Sequence, residues 1–165
     1  MSRIVVCDTG PLLHLSEAGA IHLLQRAGTI LIPEMVAVEF EQNAQGWKPP
    51  QWVAIRELDM EARKRAKNWE TTKKIEPGEV EAVALALQVQ ADWLLTDDAK
   101  ARKFAESLKL EVHGSIGLLL WNVAEGYADY EQAHLLLDAL AHSSLWISER
   151  VLNEARRAIQ ILSSK

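Results

Sequence analysis

Five short apolar runs alternate with longer stretches of helical pattern, and this alternation limits the fold more than any other feature. The runs are Arg3–Asp8 (RIVVCD), Thr29–Ile32 (TILI), Val53–Leu58 (VAIREL), Asp92–Thr96 (DWLLT) and Leu110–Val112 (LEV). Each is too short for a buried helix and rich in β-branched or large apolar side chains, as a strand requires. Between them the pattern predicts helices over Pro11–Ala18, Ala20–Ala27, Pro33–Gln42, Asp59–Lys74, Glu79–Ala91 and Ala99–Leu108. Three more follow at Ile116–Glu125, Tyr130–Ala141 and Ser148–Ser163. Gly28, Pro33 and Pro77-Gly78 punctuate the pattern, and Asn43–Trp52 (NAQGWKPPQW) reads as its clearest loop. Strands alternating with helices build βαβ units. The expected fold is α/β, a three-layer α/β/α sandwich around a parallel sheet of about five short strands with a helical C-terminal extension.

The 165 residues suffice for one full hydrophobic core, so residues 1–165 read as a single domain. Its core covers about residues 1–125 and the extension about 126–165. A net charge of −5 argues against holding nucleic acid by bulk positive charge. It leaves room for a nucleic-acid enzyme whose acids gather around a metal ion. The single cysteine, Cys7, excludes an internal disulfide and reads as core. The longest apolar stretch, Ile116–Trp121, is far short of a bilayer span, and the first residues lack a signal-peptide pattern. A cytoplasmic setting without membrane contact is the expectation.

Two of the runs end on carboxylates: VVC stops at Asp8, and DWLLT stops at Asp97-Asp98. In parallel sheets, functional groups collect beyond the carboxyl ends of the strands. Glu39 follows six residues after Pro33 in IPEMVAVEF, and Glu79 opens the helix after Pro77-Gly78. Every one of these acids also has an ordinary structural reading. Asp8 and Asp97 suit helix caps, and Asp98 with Arg102 has i,i+4 ion-pair spacing. Glu79 suits the positive end of a helix dipole, and Glu39 a solvated helix face. Brought together, four carboxylates repel one another and raise each other's pKa, and a hard divalent cation relieves this. The five histidines (14, 22, 113, 134 and 142) have no zinc spacing and read as structural or surface residues.

The pieces VVCDTGPLLHL, IPEMVAVEF, PGEVEAVALAL and LLTDDAKAR, in this order over roughly the first 110 residues, resemble the PIN-domain family. PIN is the ribonuclease fold of VapC-type toxins from toxin–antitoxin pairs. GSIGLLLWNVAEG resembles one branch, small PIN proteins described only as nucleic-acid-binding. Carried onto this chain, the resemblance makes Asp8, Glu39, Glu79 and Asp97 catalytic and metal-binding acids, with Asp98 as an auxiliary ligand. Thr9 and Thr96 become supporting hydroxyls. The implied activity is Mg²⁺- or Mn²⁺-dependent endonucleolytic hydrolysis of RNA, and the implied partners are RNA, a small antitoxin and a second copy of the chain. Lys73, Lys74, Lys100, Arg102 and Lys103 are candidates for holding RNA, with a solvated surface as the other reading. Trp47 and Trp52 either stack bases or pack over the sheet or in a dimer interface.

The chain departs from the family pattern at two points. Many relatives have aspartate at the third acidic position, where Glu79 stands with Glu81 as a competitor. The two lie about 200° apart around a helix, so only one can face the site. Glu79 shares its face with Ala82, Val83 and Ala86, which suit close packing on a sheet, and is preferred. Many relatives also carry a polar residue where this chain has Gly10. The same glycine argues against a phosphatase of the haloacid dehalogenase type, which needs a second aspartate there. A receiver domain is disfavoured because the expected strand-end lysine is absent. A PIN domain that binds RNA or a partner protein without cutting remains the alternative reading.

Overall fold

A computed structural model describes residues 2–165. Its strands are β1 (Ile4–Cys7), β2 (Thr29–Pro33), β3 (Val53–Arg56), β4 (Trp93–Leu95) and β5 (Val112–His113). All are parallel, in the spatial order β3-β2-β1-β4-β5. The helices are α1 (Thr9–Glu17), α2 (His22–Gln25), α3 (Glu34–Asn43), α4 (Met60–Thr72), α5 (Pro77–Gln88), α6 (Ala99–Ser107), α7 (Ser115–Ala124), α8 (Tyr130–Ala141) and α9 (Glu149–Ser163). The expected α/β/α architecture with five parallel strands is the one found.

Alternation along the strands divides the core in two, because successive side chains leave a strand on opposite faces. Val5 and Cys7 of β1 join Ile30, Ile32 and Leu95 in one apolar cluster, covered by α1, α2, α3 and α7. Buried Leu137 and Leu140 of α8 and Ala155 and Ile159 of α9 enter that same cluster. Val6, Leu31 and Leu94 point the other way, into a cluster closed by α4, α5 and α6. Both faces of the inner strands are covered, which explains why β1, β2 and β4 read as apolar runs, whereas the edge strand β3 is exposed beyond Val53. Trp47 and Trp52 pack against the first cluster, Trp47 with its ring 4.2 Å from that of Phe40. No helix among the described residues is long and apolar enough to cross a membrane.

Several element ends differ from expectation for one shared reason. Helices α1, α5 and α6 close with a left-handed residue followed by a bond that spans the last turn. At α1 the residue is Gly19 (φ 66°), and the Ala20 amide donates to the Leu15 carbonyl. Ala20 is thereby spent on closing α1, and the second helix shrinks from Ala20–Ala27 to the single turn of α2. Gln90 (φ 53°) and the Ala91 amide close α5, so that helix stops at Gln88 instead of Ala91. Lys109 (φ 69°) and the Leu110 amide close α6, which moves the last strand from Leu110–Val112 to Val112–His113. At the other end, α1 begins two residues before Pro11 because the Asp8 carboxylate accepts the first free amide. Pro33 is the last residue of β2, paired with Arg56, and the cap of α3.

Candidate active site

The central strands β1 and β4 end side by side, locked by the Asp8 amide donating to the Leu95 carbonyl at 2.9 Å. This register brings Asp8 and the Thr96-Asp97-Asp98 segment to the same edge of the sheet. Asp8 is buried, yet both its oxygens are bonded. Oδ1 accepts the Thr9 amide at 2.7 Å, and Oδ2 accepts the Thr96 hydroxyl at 2.9 Å. Burial pushes its pKa up to about 6, with Glu39 and Asp97 adding to the rise and the bonds from Thr96 and Thr9 opposing it. Asp8 is thus both the cap of α1 and a member of the acidic group. The Cys7 thiol, beneath it in the core, is raised well above its ordinary value, by burial first and then by Asp8 and Asp97.

The two threonines tie the acids together. Thr9 donates its hydroxyl to Glu39 Oε1 at 2.8 Å. Thr96 donates to Asp8 while its oxygen accepts the Asp98 amide at 3.3 Å. Glu39 reaches across from the middle of α3 to the start of α5, where it lies against Gly78. A Cβ on Gly78 would overlap the Glu39 carboxylate, so the glycine leaves space that the acid occupies.

Glu79 stands in the first turn of α5 and accepts the Glu76 amide at 3.3 Å in a capping box. Its pKa is pushed up to about 8 by burial, by the charges of Asp8 and Asp98, and by a hydrogen bond to Asp98 that requires the proton. Glu81 points elsewhere, into a separate depression of about 200 Å³ beside Glu34 and Arg63. Its pKa is also raised, by burial ahead of the charges of Glu34 and Glu39. Asp98 caps α6 by accepting the Ala101 amide at 2.8 Å, and among the described residues it forms no ion pair with Arg102.

Asp97 is the most heavily bonded acid. Its Oδ1 accepts the Ser115 amide at 2.7 Å, its Oδ2 accepts the Ser115 hydroxyl at 2.6 Å, and His14 Nδ1 lies 2.7 Å from Oδ2. A carboxylate can only accept, so Nδ1 is the protonated nitrogen of the ring. Sequence reasoning missed both partners: His14 was read as structural or surface, and Ser115 was not singled out. No local signal marks either partner, because neither adjoins Asp97 in the chain. Gly10 and His14 are four apart on α1, and a Cβ on Gly10 would stand 3.7 Å from the Asp97 Cβ and 3.6 Å from His14 Cε1. Both are ordinary van der Waals contacts, so Gly10 borders this pair without having to be glycine.

These groups line one open cleft of about 630 Å³. Asp8, Glu39, Glu76, Glu79, Asp97 and Asp98 face it, with Thr9, Gly10 and His14, and among the described residues no lysine or arginine lines it. The loop Ser144–Trp146 forms its far wall. Among the described residues, no three His, Cys, Asp or Glu side chains stand grouped as they would around a bound metal ion. The donor set still suits a hard divalent cation, being all carboxylate oxygen without a basic counter-charge. Of the cations proposed for holding RNA, Arg102 lines a smaller depression next to Asp97. Lys100 and Lys103 are exposed outside the cleft, Lys100 donating to the Lys74 carbonyl at 3.1 Å.

A family model described as a PIN domain matches residues 4–160. We found no match among curated proteins. PIN domains are generally nucleases and typically use Mg²⁺ or Mn²⁺, so this fold implies a nucleic-acid substrate. The match extends from the first strand into the last helix, across both halves of the core and the acidic cleft. The chain belongs to the PIN-domain family.

Proposed function

We propose that this chain is a metal-dependent endoribonuclease that hydrolyses RNA phosphodiesters, the toxin of a toxin–antitoxin pair working in the cytoplasm. One observation carries the reading: Asp8, Glu39, Glu79, Asp97 and Asp98 face a single cleft without any lysine or arginine to balance them. Asp8, Glu39, Glu79 and Asp97 would hold Mg²⁺ or Mn²⁺ with Asp98 as an auxiliary ligand, Asp97 being oriented by His14 and Ser115. The bound cation supplies charge balance for the phosphoryl oxygens and activation of water. Glu79 retains its proton near neutral pH when metal-free, and metal binding releases it. Thr9 and Thr96 fix the carboxylates of Glu39 and Asp8 by hydrogen bonds. The toxin role and its partners, a small antitoxin and a second copy of the chain, rest on the VapC-like motifs.

A second reading, a PIN domain that binds without cutting, is favoured by the bonds already filling both oxygens of Asp97. One assay separates the two. Purified protein with Mn²⁺ should cleave single-stranded RNA, and Asp8→Asn or Asp97→Asn should abolish cleavage. Equal residual cleavage by wild type and both variants would refute the nuclease reading. Growth arrest on expression, relieved by the product of a small neighbouring gene, tests the toxin role.

A further inference from the structure

At the rim of the acidic cleft, the feature that stands out most is an indole held in solvent. Trp146 is 84% exposed, although both flanking residues, Leu145 and Ile147, pack against the core. The segment is fixed as well as exposed. Ser144 donates its amide and hydroxyl to Glu17 Oε1 at 3.1 and 2.6 Å, and the Leu145 amide donates to the Ser143 hydroxyl at 3.2 Å. Leu145 and Trp146 form a ridge with a cavity on either side, since both line the 630 Å³ acidic cleft and a neighbouring one of about 250 Å³. Asp97 also borders both. The second cavity is lined by Arg102, which makes no ion pair among the described residues.

Resting on the nuclease reading of the cleft, we infer that Trp146 is a base-stacking platform and Arg102 a phosphate anchor, so that single-stranded RNA crosses the ridge between the two cavities. A flat aromatic face stacks on any base, and a free guanidinium suits a phosphate. Both lie next to Asp97, at the border of the cleft that would take the scissile phosphate. Carboxylates repel the phosphates that no bound cation balances, so the strand on either side of the scissile phosphate gains from a grip at the margin. The Trp146–Arg102 ridge supplies an aromatic face and a cation there.

The test uses the full-length protein and a short fluorescein-labelled single-stranded RNA of mixed sequence, with binding read by anisotropy in Ca²⁺ and RNA integrity on a gel. Trp146→Ala should weaken binding roughly 5- to 150-fold, while Trp146→Phe should retain most of the affinity. Arg102→Ala should weaken binding and lower the salt slope by about one. Circular dichroism establishes that each variant is folded. Unchanged affinity in Trp146→Ala, equal loss in Trp146→Phe, or no binding by the wild type would overturn the inference. So would a change in sedimenting mass without a change in RNA affinity, which would mark the ridge as a protein interface. Cleavage in Mn²⁺ is scored separately. Intact RNA in Mn²⁺ together with weakened binding by Trp146→Ala would sink the nuclease reading and leave the ridge standing.

Discussion

Asp97 receives donors from two directions, Ser115 at the start of α7 and His14 on α1. A carboxylate in an acidic cleft needs such restraint, because its neighbours repel it and nothing else fixes its rotamer. Groups that orient metal-site carboxylates typically alter affinity or activity by roughly 10- to 100-fold when removed. Ser115→Ala removes the hydroxyl while the backbone amide still holds Oδ1, and His14→Ala removes the second donor to Oδ2. Each variant should lower cleavage by about that factor and raise the Mn²⁺ concentration needed for half-maximal activity. A metal titration of the cleavage rate reads this, and unchanged titration curves would show that Asp97 needs neither partner. Asp8 and Asp97 were legible in the sequence because each ends an apolar run. His14 and Ser115 were not, since they meet Asp97 across 83 and 18 residues.

Element ends were the least legible level. The left-handed closures of α5 and α6 fall on Gln90 and Lys109, residues with no stated preference for positive φ, whereas Gly19 announces its own. Tertiary packing overrides local preference at those two ends, and the end of α5 and the start of β5 shift as a result. The start of α5 shows the opposite case, in which a motif carries the information. Pro77 and Gly78 begin the helix, Glu79 completes its capping box, and the bare Gly78 accommodates Glu39 from α3. Gly78→Ala should therefore separate stability from function. Alanine is a better helix residue than glycine by roughly 0.5–1 kcal/mol, yet its methyl group must displace the Glu39 carboxylate. The expected outcome is an unchanged or slightly higher melting temperature with a clear loss of cleavage. Full activity in Gly78→Ala would show that the position of Glu39 is unimportant.

For the molecule as a whole, the acidic cleft stores a charge penalty, set first by burial of its carboxylates and then by their mutual repulsion. Asp8 titrates near 6 and Glu79 near 8 in the fold, against ordinary values of 3.8 and 4.5. Because both folded-state values are raised, the metal-free native state binds more protons than the unfolded chain between about pH 4 and pH 8. The stability these groups contribute is complete below the unfolded values and is lost as pH rises through the folded ones. The melting temperature of metal-free wild type, relative to Asp8→Asn, should therefore fall as pH rises across that interval. Mn²⁺ added near pH 8 should raise the melting temperature of the wild type more than that of the variant. A pH-independent difference would mean that Asp8 carries no such penalty in the fold.

The sequence by itself determined the layered α/β plan and the positions of the acids, because strand length, helical periodicity and strand-end carboxylates are local properties. It also put Glu79 and Glu81 on different faces of one helix, and the two line different cavities. Only the tertiary structure decided that Asp8 serves as helix cap and cleft acid together, that Asp97 is held by His14 and Ser115, and that Trp146 borders the cleft. Those facts depend on parallel strands bringing distant segments to one sheet edge. A sequence names the residues that reach that edge from β1 and β4, but the packing of α7 and the α8–α9 loop onto it is fixed by the shared core.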